Sequence, residues 1–161
     1  MLTCLPQSIC SWDYRVPDAP GGGAELYFNH WTDQGRIVVG REEFEVRKGG
    51  LFSDRWTLEH GGRGIAETAR PNVFFRRFEI EINGLQFTLK AVSPLASGFE
   101  ILQGDRRLGA IDRVHIFTRR ATIECEPEAP ELVQLFAFWL VALLWRRQSQ
   151  HSGAAAATSV H

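Results

Sequence analysis

Lysine is nearly missing from this chain: sixteen of its eighteen basic residues are arginine, across 161 residues. Net charge is also missing, −1 at neutral pH, so no global field draws the chain toward nucleic acid or an anionic membrane, and no nucleic-acid partner is expected. Its three cysteines, Cys4, Cys10 and Cys125, are odd in number and show no C-x-x-C spacing, which argues against a disulfide framework and a zinc knuckle. Cys125 alternates with Glu124 and Glu126, as a small inward residue on a strand does. The five histidines, His30, His60, His115, His151 and His161, include no i, i+4 pair, so no metal site is expected. No G-x-S-x-G elbow, P-loop or dinucleotide fingerprint occurs, so neither a cofactor nor a catalytic constellation is expected. Glu79 and Glu81 share a strand face and have the chemistry of an acid–base pair. That face is the polar side of an alternating strand, however, and should meet water. The start of the chain carries neither a basic n-region nor a long apolar h-region, so a secretory signal is not expected and the cytosol is the default location.

Long hydrophobic runs are absent with one exception. From Leu132 to Trp145 every residue but Gln134 is apolar, and Arg146-Arg147 closes the run. Pro127 and Pro130 precede it, Glu128 and Glu131 sit where a helix start favours negative charge, and the two arginines sit where its end favours positive charge. A helix apolar on every side must be enclosed on every side. Fourteen residues rise about 21 Å, against about 30 Å for the hydrocarbon core of a bilayer. A six-residue strand spans about 20 Å, so the helix suits the height of a β-barrel. Trp139 and Trp145 are then barrel core rather than an interfacial belt.

The preceding segments supply such a barrel. Phe44-Glu-Val46, Trp56-Thr-Leu58, Phe78-Glu-Ile80-Glu-Ile82 and Phe99-Glu-Ile101 alternate apolar with polar residues, and each is followed within a few residues by glycine. Asn83-Gly84, between two alternating runs, is the strongest hairpin signal. Further strands are expected at Gly35–Val39, Gly64–Ala69, Leu108–Ile111, Val114–Thr118 and Thr122–Glu126. The glycine runs at 21–23 and 61–64 read as turns. Residues 1–23, with three prolines and no sustained periodicity, read as a loosely ordered arm. Residues 24–147 form the barrel with its central helix at 131–147, and 148–161 form a low-complexity, disordered tail.

This series of degenerate hairpins ending in one wholly apolar helix resembles the tubby C-terminal-domain-like superfamily: tubby-like proteins, phospholipid scramblases and LURP-one-related proteins. The resemblance rests on the repeats beginning at Trp56, Phe78 and Phe99, on Arg107-Leu-Gly-Ala-Ile111, and on Gln134–Arg147. It implies a mainly β fold, a closed antiparallel barrel of about twelve strands wrapped around the C-terminal helix. It also implies a link to membranes, since tubby domains bind phosphoinositide headgroups and scramblases associate with phospholipid and calcium. No motif here carries over a particular headgroup or a calcium ligand.

Three arginine pairs, Arg76-Arg77, Arg106-Arg107 and Arg119-Arg120, fall near strand ends or turns. Guanidinium groups grip phosphate bidentately, so a rim of them is a candidate site for anionic phospholipid or another polyanion. The competing reading is that Arg77 pairs with Glu79 and the others are solvated. The expected protein is therefore a monomeric, non-catalytic barrel, cytoplasmic and peripheral at the membrane if the rim binds lipid. Two alternatives remain. One is a tail-anchored membrane protein using residues 132–145; the other is a small-ligand-binding or enzymatic barrel, which needs an open lumen.

Overall fold

A computed structural model describes residues 1–70, 76–115 and 117–157. Twelve strands follow one another: β1 (Leu2–Pro6), β2 (Tyr14–Val16), β3 (Ala24–Phe28), β4 (Gly35–Val39), β5 (Glu42–Lys48) and β6 (Arg55–His60), then β7 (Arg63–Ala69), β8 (Arg77–Ile82), β9 (Leu85–Ala91), β10 (Phe99–Gln103), β11 (Arg106–Arg113) and β12 (Ala121–Cys125). Each pairs antiparallel with its neighbours in sequence, and β1 pairs with β12, closing an up-and-down barrel with no free edge. One helix, α1 (Glu131–Ala157), follows.

Alternation decides which side chains turn inward. In β8, Phe78, Ile80 and Ile82 are buried while the residues between them are more exposed, and β3 buries Ala24, Leu26 and Phe28 in the same rhythm. Asn83 and Gly84 both have positive φ, 51° and 77°, the backbone that a two-residue hairpin turn requires and that these two residues tolerate best.

The lumen holds α1. Val133 and every residue from Leu135 to Trp145 are buried. Phe138 meets Tyr14 edge-on at 4.9 Å, and Trp139 stacks on Phe28 at 4.8 Å while its indole Nε1–H donates to the Tyr27 carbonyl at 3.1 Å. Gly35 makes that approach possible, because a Cβ there would overlap the Tyr27 carbonyl oxygen and crowd the indole. The helix start is tied down by Gln134, the one polar residue of the run, whose side-chain amide donates to the Ala129 carbonyl at 2.9 Å. With the apolar run inside its own barrel, the tail-anchored reading of residues 132–145 loses its segment, and a ligand-binding lumen loses its space. Among the described residues no helix is long and apolar enough to cross a membrane.

Three boundaries differ from expectation. The loosely ordered arm at 1–23 is instead structural: β1 and β2 complete the barrel, with Cys4, Tyr14 and Val16 fully buried. β2 is only three residues long and one of the two partners of β1, β12, lies more than a hundred residues away, so no sustained local periodicity marks them. The strand expected at Val114–Thr118 is a connection between β11 and β12, with Val114 and Phe117 exposed; Ile116 lies outside the described residues. The helix does not stop at Arg147 before a disordered tail but continues through Ala157, exposed from Gln148 to Gly153, and residues 158–161 lie outside the described residues.

Candidate functional site: the arginine groove where the helix emerges

Strict up-and-down winding gives the barrel two unlike ends. At the end where α1 enters, four of the strand connections are two residues long: 40–41, 61–62, 83–84 and 104–105. At the end where it emerges, the connections 7–13, 29–34, 49–54, 70–76, 92–98 and 114–120 are all six or seven residues long. Functional side chains concentrate on long loops carried by a rigid scaffold.

The six arginines expected to form a rim divide between these ends. Arg106 and Arg107 lie at the entry end, where Arg106 pairs with Glu126 at 2.7 Å and Arg107 with Glu100 at 3.1 Å. Arg77 begins β8 at the exit end but pairs with Glu79 at 2.6 Å. Arg120 is exposed at the exit end. Only Arg76 and Arg119 converge, and a third arginine outside any pair, Arg113 at the end of β11, joins them.

These three line a groove of about 880 Å³ beside the emerging helix, together with Trp12, Leu95, Phe117 and Trp145, and among the described residues no carboxylate lines it. The Arg76 guanidinium donates to the Ala96 carbonyl at 2.6 Å and lies over the Phe99 ring. Arg119 lies over Trp12 and donates to the Ser8 and Ile9 carbonyls, holding the β1–β2 loop. Arg113 stacks 4.4 Å above the buried Trp145 ring. The Arg113 Nε–H and the Trp145 Nε1–H are buried and have no hydrogen-bond partner among the described residues. Buried donors are nearly always satisfied, and these two lie unpartnered in residues that line one groove. Burial lowers the pKa values of Arg76 and Arg113, and neighbouring cations add to it: Arg70 and Arg113 around Arg76, Arg119 near Arg113. An anion relieves that repulsion.

Across the same end a second cluster gathers three cations on one carboxylate. Asp33, in the β3–β4 loop, receives Arg147 at 2.6 Å, Arg146 at 3.2 Å and Lys48 at 3.2 Å. Arg146 is buried and donates further to the Asn29 and Thr32 carbonyls. Burial alone would raise the Asp33 carboxyl, but hydrogen bonding and charge from Arg147 and Lys48 outweigh it and hold the group below the usual carboxylate range. This latch fixes the helix to the barrel mouth. The arginines that read as a helix-end charge are therefore structural fasteners in mid-helix.

Sequence reasoning missed Arg113 because it stands singly, in the gap between the strands expected at 108–111 and 114–118, and only adjacent arginine pairs were singled out; reading 114–120 as one loop would have shown that β11 ends at the same mouth. Among the described residues, no three of His, Cys, Asp or Glu converge as metal ligands.

Fold and groove together define the chain as a helix-plugged, twelve-stranded up-and-down barrel with an arginine-lined cleft at one mouth. Comparison with known proteins adds no identity: no family model, no curated protein and no solved structure matches it.

Proposed function

We propose that this protein is a non-catalytic, tubby-like barrel that binds the phosphate of an anionic phospholipid headgroup in the groove of Arg76, Arg113 and Arg119. The observation that carries this reading is three guanidinium groups and two unpartnered buried N–H donors gathered in one cleft with no carboxylate. Guanidinium groups suit phosphate oxygens in geometry and charge, and an indole N–H adds a neutral donor. The scaffold contributes rigidity: Trp145, under Arg113, belongs to the plug itself.

Co-sedimentation of the full chain with vesicles tests this. Binding is expected to phosphatidylcholine vesicles containing a phosphoinositide and not to phosphatidylcholine alone, weakening as salt is raised. Arg113→Gln should lower it about tenfold, the effect of losing one charge-assisted contact. Arg107→Gln, at the opposite end, should leave it unchanged. Equal, negligible binding to both vesicle types overturns the reading.

A further inference from the structure

The exit end also carries the protein's exposed apolar side chains. Ten large hydrophobic residues are exposed among those described, and all but Met1 and Leu85 lie on the loops of this one mouth. Ile9, Trp31, Phe52, Leu95 and Phe117, each between 84% and 101% exposed, come from five different loops and so surround the emerging helix. Isolated exposed hydrophobes are ordinary, but a crown of them at one end marks a contact surface.

Charge selects the partner. The exit connections and the adjoining helix segment 146–153 hold Arg70, Arg76, Arg119, Arg120, Arg146 and Arg147 against Asp13, Asp33 and Asp54. The entry connections hold Asp18, Asp105, Glu126 and Glu128 against Arg41 alone. The molecule is thus polarised, with its cationic end the one that bears the apolar tips. Cations set behind aromatic and aliphatic tips complement an anionic lipid surface, whose headgroups lie outside its hydrocarbon. The emerging helix segment 146–157 carries no carboxylate to oppose approach to such a surface. Gln150 shares a cavity with Trp31 and Leu51, and Ser152 shares the groove with Leu95 and Phe117, so the loop tips flank the helix as far as Ser152. The described helix beyond Ser152, Gly-Ala-Ala-Ala-Ala at 153–157, carries no charge.

We infer that the barrel docks end-on to an anionic bilayer, with Trp31, Phe52, Leu95 and Phe117 wedged below the headgroups and the entry end facing away. This rests on the headgroup reading above and adds an orientation and an insertion depth to it. Trp31 is an intrinsic probe, being almost fully exposed while Trp56, Trp139 and Trp145 are buried and Trp12 is half-buried under Arg119.

The test uses the full chain and phosphoinositide-containing vesicles whose acyl chains are brominated. Tryptophan fluorescence should be quenched on binding, and most of the quenching should vanish in Trp31→Phe when both proteins are read at lipid concentrations that sediment them fully. Phe52→Ser combined with Phe117→Ser, both at exposed positions that folding does not depend on, should weaken sedimentation about tenfold or more, in keeping with lost apolar burial. Sedimentation without quenching, unaffected by the serine variant, overturns the wedge and leaves headgroup binding standing. Failure to sediment with any vesicle overturns both. A concentration-dependent dimer in light scattering that the serine variant abolishes, without vesicle binding, assigns the crown to a second copy and likewise overturns it.

Discussion

Asp33 shows how much one side chain holds at the barrel mouth. It is the shared anion of Arg146, Arg147 and Lys48, and Arg146 is 7% exposed at its side chain. Removing one member of a buried ion pair leaves the other charge uncompensated, at a cost of about 3 kcal/mol. Asp33→Asn is therefore expected to lower the free energy of unfolding in urea by about that amount at neutral pH. Because the folded carboxyl titrates below its unfolded value, the latch is fully present above the unfolded carboxylate range and is lost as pH falls through the folded one. The variant and the parent should thus converge in stability toward strongly acid pH, and urea midpoints measured at pH 7 and pH 3 check this. None of this was legible in the sequence, since an aspartate in Thr-Asp-Gln has nothing local to mark its three partners. The Arg77–Glu79 pair was legible, because two residues apart on one strand face is a local relation. Arg113 fell between the two cases, visible only once the end of β11 is known.

Helix α1 holds the core at the scale of an element. Its character was readable because enclosure follows from composition alone: a run without a polar side admits no other soluble arrangement. The Asn83-Gly84 hairpin was readable for a similar reason, the required backbone being a property of those two residues. The far end of the helix was not, because Gln148 to Gly153 are polar and small and propagate helix only as a continuation of the buried turns before them. Truncating a buried aromatic tests the role of the plug. Phe138→Ala removes the edge contact with Tyr14 and leaves a void between helix and wall, with an expected loss of about 3–5 kcal/mol in equilibrium unfolding. Gln148→Ala, on the exposed turn just outside the mouth, should change stability by less than about 0.5 kcal/mol.

At the scale of the whole molecule, closure depends on its least conspicuous strands. β1 and β2 contribute eight residues, yet they join β12 to β3. Without them, two edges open beside an exposed apolar helix, and a ten-stranded closure would have to shrink around a helix about 10 Å across. Deleting residues 1–16 is expected to abolish the cooperative thermal transition and give aggregating protein, as followed by circular dichroism and light scattering. The resemblance in sequence pattern led to the right closed barrel, but it could not orient the arginines. That required counting strands, because each strand reverses direction and sends neighbouring arginine pairs to opposite poles. The position of the plug has one more consequence, for biosynthesis. All twelve staves leave the ribosome before their common filling does, and the first must wait for the twelfth to find its mate. The nascent chain therefore carries an unfilled, unsealed wall until translation has passed Trp145, an interval in which a chaperone has more to shelter than the finished protein ever exposes.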